Sequence, residues 1–118
     1  MVVRRIVFVL NRAGTSESTA TALELIERLL AGGHRVSVFA HDDAVTLSAG
    51  DGESARIVAS LLRRGVHGAA LDWVVERPAA DALGVADRQA PGVIPGDHAD
   101  LWAFIRHADV VLTPDGGA

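Results

Sequence analysis

Residues 6–40 read IVFVLNRAGTSESTATALELIERLLAGGHRVSVFA, and this stretch decides the fold. Ile6 to Leu10 is an unbroken apolar run rich in β-branched residues, the pattern of a strand covered on both faces. The run stops at Asn11-Arg12-Ala13-Gly14, after which Thr15 or Ser16 can cap a helix. Ala22, Leu23, Ile26, Leu29 and Leu30 then recur at helical spacing, and Gly32-Gly33 supplies the left-handed residue that ends such a helix. Val36 to Ala40 makes a second strand. Strand, helix and strand within about 35 residues form a right-handed βαβ crossover, and hence a parallel sheet.

Outward from this unit the alternation continues. A loop from His41 to Gly50 precedes a helix capped by Asp51, with Ile57, Val58, Leu61 and Leu62 as its buried stripe and Gly65 at its end. Val66 to Leu71 is read as the third strand. Asp72 to Gly92 is irregular, with a short helix from Pro78 to Leu83, and Val93-Ile94 is a brief fourth strand. Asp97 caps a helix that turns Leu101, Phe104, Ile105 and Ala108 inward, and Val110 to Leu112 is the last strand. The pattern predicts a three-layer α/β/α open sheet of about five strands, mostly parallel. Residues 1–118 are read as a single domain with 113–118 as a flexible tail.

Composition narrows the function classes. A net charge of -4 argues against a general nucleic-acid partner, and the pairs Arg4-Arg5 and Arg63-Arg64 are too short to reverse that. No run approaches the roughly 20 apolar residues that span a bilayer, and no cleavage site follows the first strand, so no membrane partner and a cytoplasmic location are expected. The chain has no cysteine, which removes thiol nucleophiles, thiolate metal sites and disulfides together. No metal-ligand spacing of an established kind is present, and no cofactor is expected.

In an open parallel sheet, ligands bind beyond the carboxyl ends of the strands. That rule selects Asn11–Ser16, His41–Asp43, Asp72–Arg77 and Thr113–Asp115. The first segment places Asn11, Gly14, Thr15 and Ser16 at a helix start, where backbone N–H groups attract anions. It matches neither the dinucleotide nor the phosphate-loop pattern. His41, Asp42 and Asp43 put an imidazole beside two carboxylates, which makes His41 and Asp43 the candidates for acid/base chemistry. The third segment combines Asp72, Trp73, Glu76 and Arg77, with Trp73 able to wall a pocket or enter an interface. His34, His98 and His107 fall at a turn, a helix start and a helix end, and are read as incidental.

Four features resemble the DsrE-like family, which includes DsrE/DsrF and YchN-like members. They are the strand, Ser/Thr loop and helix at the start; GGHRVSVFAHDDAV at 32–45; ERP at 76–78; and HADLWAFIRHADVVLT at 98–113. The resemblance implies a flavodoxin-like layering and a homo-oligomer. Members that carry persulfide sulfur have a cysteine at the end of the third strand, about seven residues before an Arg-Gly pair, because a persulfide needs a thiolate. Counting back from Arg77 lands on Ala70, with Trp73 at the place of a second cysteine. Pro78 and Ala44 also replace glycines of the family pattern. The resemblance thus implies a cysteine-less member, and the convergence of polar loops points to a small ligand or a protein partner on a rim of Asn11, Gly14, Thr15, Ser16, His41, Asp42, Asp43, Ala70, Asp72, Trp73 and Arg77. Two alternatives stay open: an enzyme without thiol chemistry, and a degenerate subunit that shapes the pocket of a cysteine-bearing paralogue.

Overall fold

The computed structural model describes residues 2–13, 17–66 (64–66 by backbone only) and 70–114. The chain runs β1 (Arg5–Leu10), α1 (Glu17–Ala31), β2 (Arg35–Ala40), a 3-10 helix (Asp42–Thr46), α2 (Glu53–Val66), β3 (Leu71–Glu76), α3 (Arg77–Ala82), β4 (Ile94–Gly96), α4 (His98–His107) and β5 (Val110–Leu112). All strand pairs are parallel, in the order β4-β3-β2-β1-β5. The layering is flavodoxin-like, whereas flavodoxin itself orders its strands 2-1-3-4-5.

This order dictates where the helices lie. From β1 to β4 the chain steps one way across the sheet, so right-handed crossovers put α1, α2 and α3 on one face. The step from β4 back past β1 to β5 reverses direction and puts α4 on the other. The main core forms under the first group, where Phe8, Leu10, Val38, Trp73 and Val75 of the sheet meet Ile26, Val58 and Ala80 of the helices. On the opposite face Val7, Phe39 and Val74 are buried, but α4 itself has no buried residue. Leu101, Phe104 and Ile105, expected to point inward, are only half-buried.

Local endings follow the sequence closely in the first half. Gly33 takes φ 86, a conformation that costs a side chain but not glycine. Its N–H donates to the Leu30 carbonyl and that of His34 to the Leu29 carbonyl, both at 3.0 Å, so the last turn of α1 is closed. Thr15 and Ser16, the expected caps of α1, lie outside the described residues, as do 115–118 of the expected tail. The helix α2 starts at Glu53, and the Arg56 N–H donates to the Gly52 carbonyl, so Gly52 rather than Asp51 holds the cap position.

The third strand differs most. α2 continues through Val66, residues 67–69 lie outside the described part, and β3 begins only at Leu71. Asp72 hides this strand in the sequence. It stands exposed on the α4 face, where the open sheet leaves its carboxylate in water, so a charge inside the strand costs little there. The segment 72–92 is therefore half regular: β3, then α3 with Pro78 in its first turn. The loop from His41 to Gly50 is in part a 3-10 helix, with Ala44, Val45, Leu47 and Ser48 fully buried beneath it. The fourth strand is Ile94–Gly96, one residue later than read.

Candidate functional site

The carboxyl ends of β2, β3 and β4 come into line because Ala40 is level with Val75, and Glu76 with Gly96. His41, Glu76 and His98 are the polar side chains just beyond or at those ends. Residues 72, 74 and 76 share the α4 face of β3, so Glu76 turns toward the start of α4. Its side chain is only 15% exposed, and its Oε2 lies 3.3 Å from His98 Nε2, while His98 is 68% exposed. The mostly buried carboxylate thus orients an imidazole whose other edge faces solvent.

Local sequence fixes this geometry. Asp97 caps α4: its Oδ1 accepts from the Ala99 N–H, and its own N–H donates to Asp100 Oδ2, both at 2.9 Å. This reciprocal cap sets the first turn that presents His98. Gly96 is needed just before it, since a Cβ there would sit 2.6 Å from Val74 Cγ1 and collide with the Asp100 carboxylate. The fully buried Phe39 forms the floor, its ring centre 5.8 Å from that of His98 and 6.2 Å from that of His41.

On the other side of Phe39, His41 Nδ1 lies 3.1 Å from Asp42 Oδ2. Asp42 reaches back to its neighbour by adopting φ 50, a left-handed conformation that aspartate tolerates better than most residues. The carboxylate paired with His41 is therefore that of Asp42, not of Asp43. Asp43 is exposed, and its carbonyl accepts from the Thr46 hydroxyl at 2.7 Å. Asn11 and Arg12 follow β1 on the same rim, where the His41 N–H donates to the Leu10 carbonyl at 2.9 Å.

The rim therefore gathers Asn11, His41, Asp42, Asp43 and Arg77 from the expected set, and adds Glu76 in contact with His98. It does not gather the rest. Ala70 precedes β3 at the amino end of the sheet, where its carbonyl accepts from the Val36 N–H. Asp72, in register with Ser37, stands four residues before Glu76, about 13 Å away at 3.3 Å per residue. Trp73 is fully buried in the core and walls no pocket on the rim; its indole N–H has no hydrogen-bond partner among the described residues. Gly14, Thr15, Ser16 and Asp115 lie outside the described residues. His98 was legible only as a helix start, because its partner comes from a strand whose end the sequence misplaces.

The same shift moves the position expected to bear sulfur. The third strand ends at Glu76, and seven residues on (83 − 76) stand Leu83-Gly84 at the end of α3. Glu76, not Ala70, stands at the end of the third strand. Chemically the rim offers carboxylate and imidazole groups that accept and donate hydrogen bonds and can exchange protons. Among the described residues, no three His, Asp or Glu side chains converge as they would on a metal ion.

A five-stranded parallel sheet with helices on both faces defines an α/β protein of the open-sheet class. Within that class, residues 4–114 match the DsrE/DsrF-like family, and the chain belongs to it. Among solved structures it is similar to the ychN protein from E. coli, with 22% identity and a TM-score of 0.71 over 95% of this chain and 99% of that one. It is also similar to MTH1491, a protein of unknown function from Methanobacterium thermoautotrophicum, at 19% identity and a TM-score of 0.74 over 94% and 99% of the two chains. Both likenesses concern the fold. Comparison with curated proteins gives no match. No described helix is long and apolar enough to cross a membrane.

Proposed function

We propose that this chain is a binding member of its family, a single cytoplasmic domain that assembles as a homo-oligomer and holds a small molecule or a partner group on the carboxyl rim. Sulfur transfer through its own thiol is closed to it, since the chain has no cysteine. The observation that carries the reading is the pairing of Glu76 with His98 over the Phe39 ring, at the end of the third strand. A carboxylate there cannot form a persulfide, but it accepts hydrogen bonds from an amine, amide or hydroxyl. The two imidazoles, backed by the buried Phe39 ring, suit a planar part of the same ligand. Assembly is supported by family membership and by α4, which presents Trp102 to solvent.

Native mass spectrometry of the assembly from its own source tests this reading. A retained small molecule or a stoichiometric partner is expected with the unaltered chain, and its occupancy should fall at least fivefold in Glu76→Gln and in His98→Ala. Equal occupancy in all three would remove the rim from the function. A cysteine-bearing homologous subunit in the assembly would favour the degenerate-subunit reading instead.

A further inference from the structure

The other end of the sheet holds a second polar groove. On the α4 face, Arg5, Arg35, Ser37 and Asp72 line its floor and Phe104 and His107 its wall, around a volume of about 340 Å³. Arg5 and Arg35 are register partners on neighbouring strands, and such strands lie only about 4.8 Å apart. Both residues line this groove on one face, which brings two like charges near one another. His107, at the end of α4, adds a third group able to carry positive charge. Among the lining residues Asp72 supplies the carboxylate, which also accepts from the Ser37 hydroxyl at 3.4 Å. Among the described residues the Arg5 guanidinium has neither an ion-pair nor a hydrogen-bond partner; its backbone is engaged with Asp109, the N–H donating to the Asp109 carboxylate and the carbonyl accepting from the Asp109 N–H. This concentration of positive charge stands out on a chain of net charge -4. Apolar surface lies beside it: Val7 in the floor and the half-buried Phe104 in the wall.

We propose that this groove binds a small organic anion, with its oxyanion head between Arg5 and Arg35 and its apolar body against Val7 and Phe104. Paired guanidiniums are suited to the planar, multidentate recognition of carboxylate, sulfonate and phosphate groups. The volume sits at the small end of ligand pockets, roughly 300–1,000 Å³, so the body is no larger than one aromatic ring or a short alkyl chain. The groove lies at the opposite end of the sheet from the rim and does not depend on it.

Phenyl phosphate, titrated into the full chain and followed by amide NMR, tests the site. Saturable shifts are expected at Val7, Ser37, Phe104 and His107. Binding should weaken at least tenfold in Arg5→Gln and in Arg35→Gln, tighten a few-fold in Asp72→Asn, which removes the carboxylate in the groove lining, and stay unchanged in Glu76→Gln. The same spectra report that each variant is folded. The proposal is overturned if the shifts do not saturate, if the arginine variants bind as tightly, or if Asp72→Asn binds less tightly. Phenol binding as well as phenyl phosphate would remove the oxyanion head, and inorganic phosphate binding equally well would remove the apolar body.

Discussion

Gln89, in a loop with no regular structure, ties together the parts that carry the rim. Its amide nitrogen donates to the Val45 carbonyl at 2.9 Å and to the Val85 carbonyl at 3.2 Å, and its oxygen accepts from the fully buried Ser48 hydroxyl. The 3-10 helix after His41 is thereby clamped to the segment after α3. Truncation leaves the hydroxyl and the carbonyls without partners, each at a cost of roughly 1–3 kcal/mol when buried. Gln89→Ala should therefore lower stability by about 2–4 kcal/mol in urea unfolding, out of the 5–15 kcal/mol typical of such domains. A change below about 0.5 kcal/mol would mean that water replaces these bonds at little cost. Nothing in the sequence marks this residue, because its partners Ser48 and Val45 are 41 and 44 positions away. Trp73 was equally ambiguous: its indole reads as a pocket wall or as core with the same letters, and only the register of β3 decides for core.

Elements with unbroken apolar runs or glycine stops were legible. β1, α1 and β2 lie within a residue or so of the expected bounds, because IVFVL, the helical stripe and Gly32-Gly33 leave little choice. β3 was not, since its exposed Asp72 mimics a turn and the alanines before it prolong an apparent strand. The site was affected too: counting back from Arg77 put the sulfur position on Ala70, which the structure places before β3, at the amino end of the sheet. α4 was placed correctly from Asp97, yet its dependence on that cap was not visible. With no buried residue of its own, it is held largely by its first turn. Asp97→Ala should cost about 1 kcal/mol and raise amide exchange in α4 well above that in β1 and β2. Protection in α4 that stays at the level of the central strands would show that sheet packing, not the cap, holds it.

The whole molecule is unequal on its two sides. Among the described residues, three helices and a buried 3-10 segment cover one face and α4 alone the other, with Trp102 63% exposed and Val110 and Val111 of the edge strand β5 about 40% exposed. A second copy seated here would cover this apolar surface, so Trp102→Glu should shift the assembly toward monomer in sedimentation at micromolar concentration. An unchanged sedimentation profile would place the interface elsewhere. The sheet also pairs the first strand with the last: Ile6 is level with Val110, and Arg5 binds Asp109 across a separation of 104 residues. At a synthesis rate of about 5–20 residues per second, β1 waits roughly 5–20 s on the ribosome for its second neighbour. Throughout that interval an apolar edge is open to wrong pairing, so a nascent-chain chaperone would have most to protect between the emergence of β2 and that of β5.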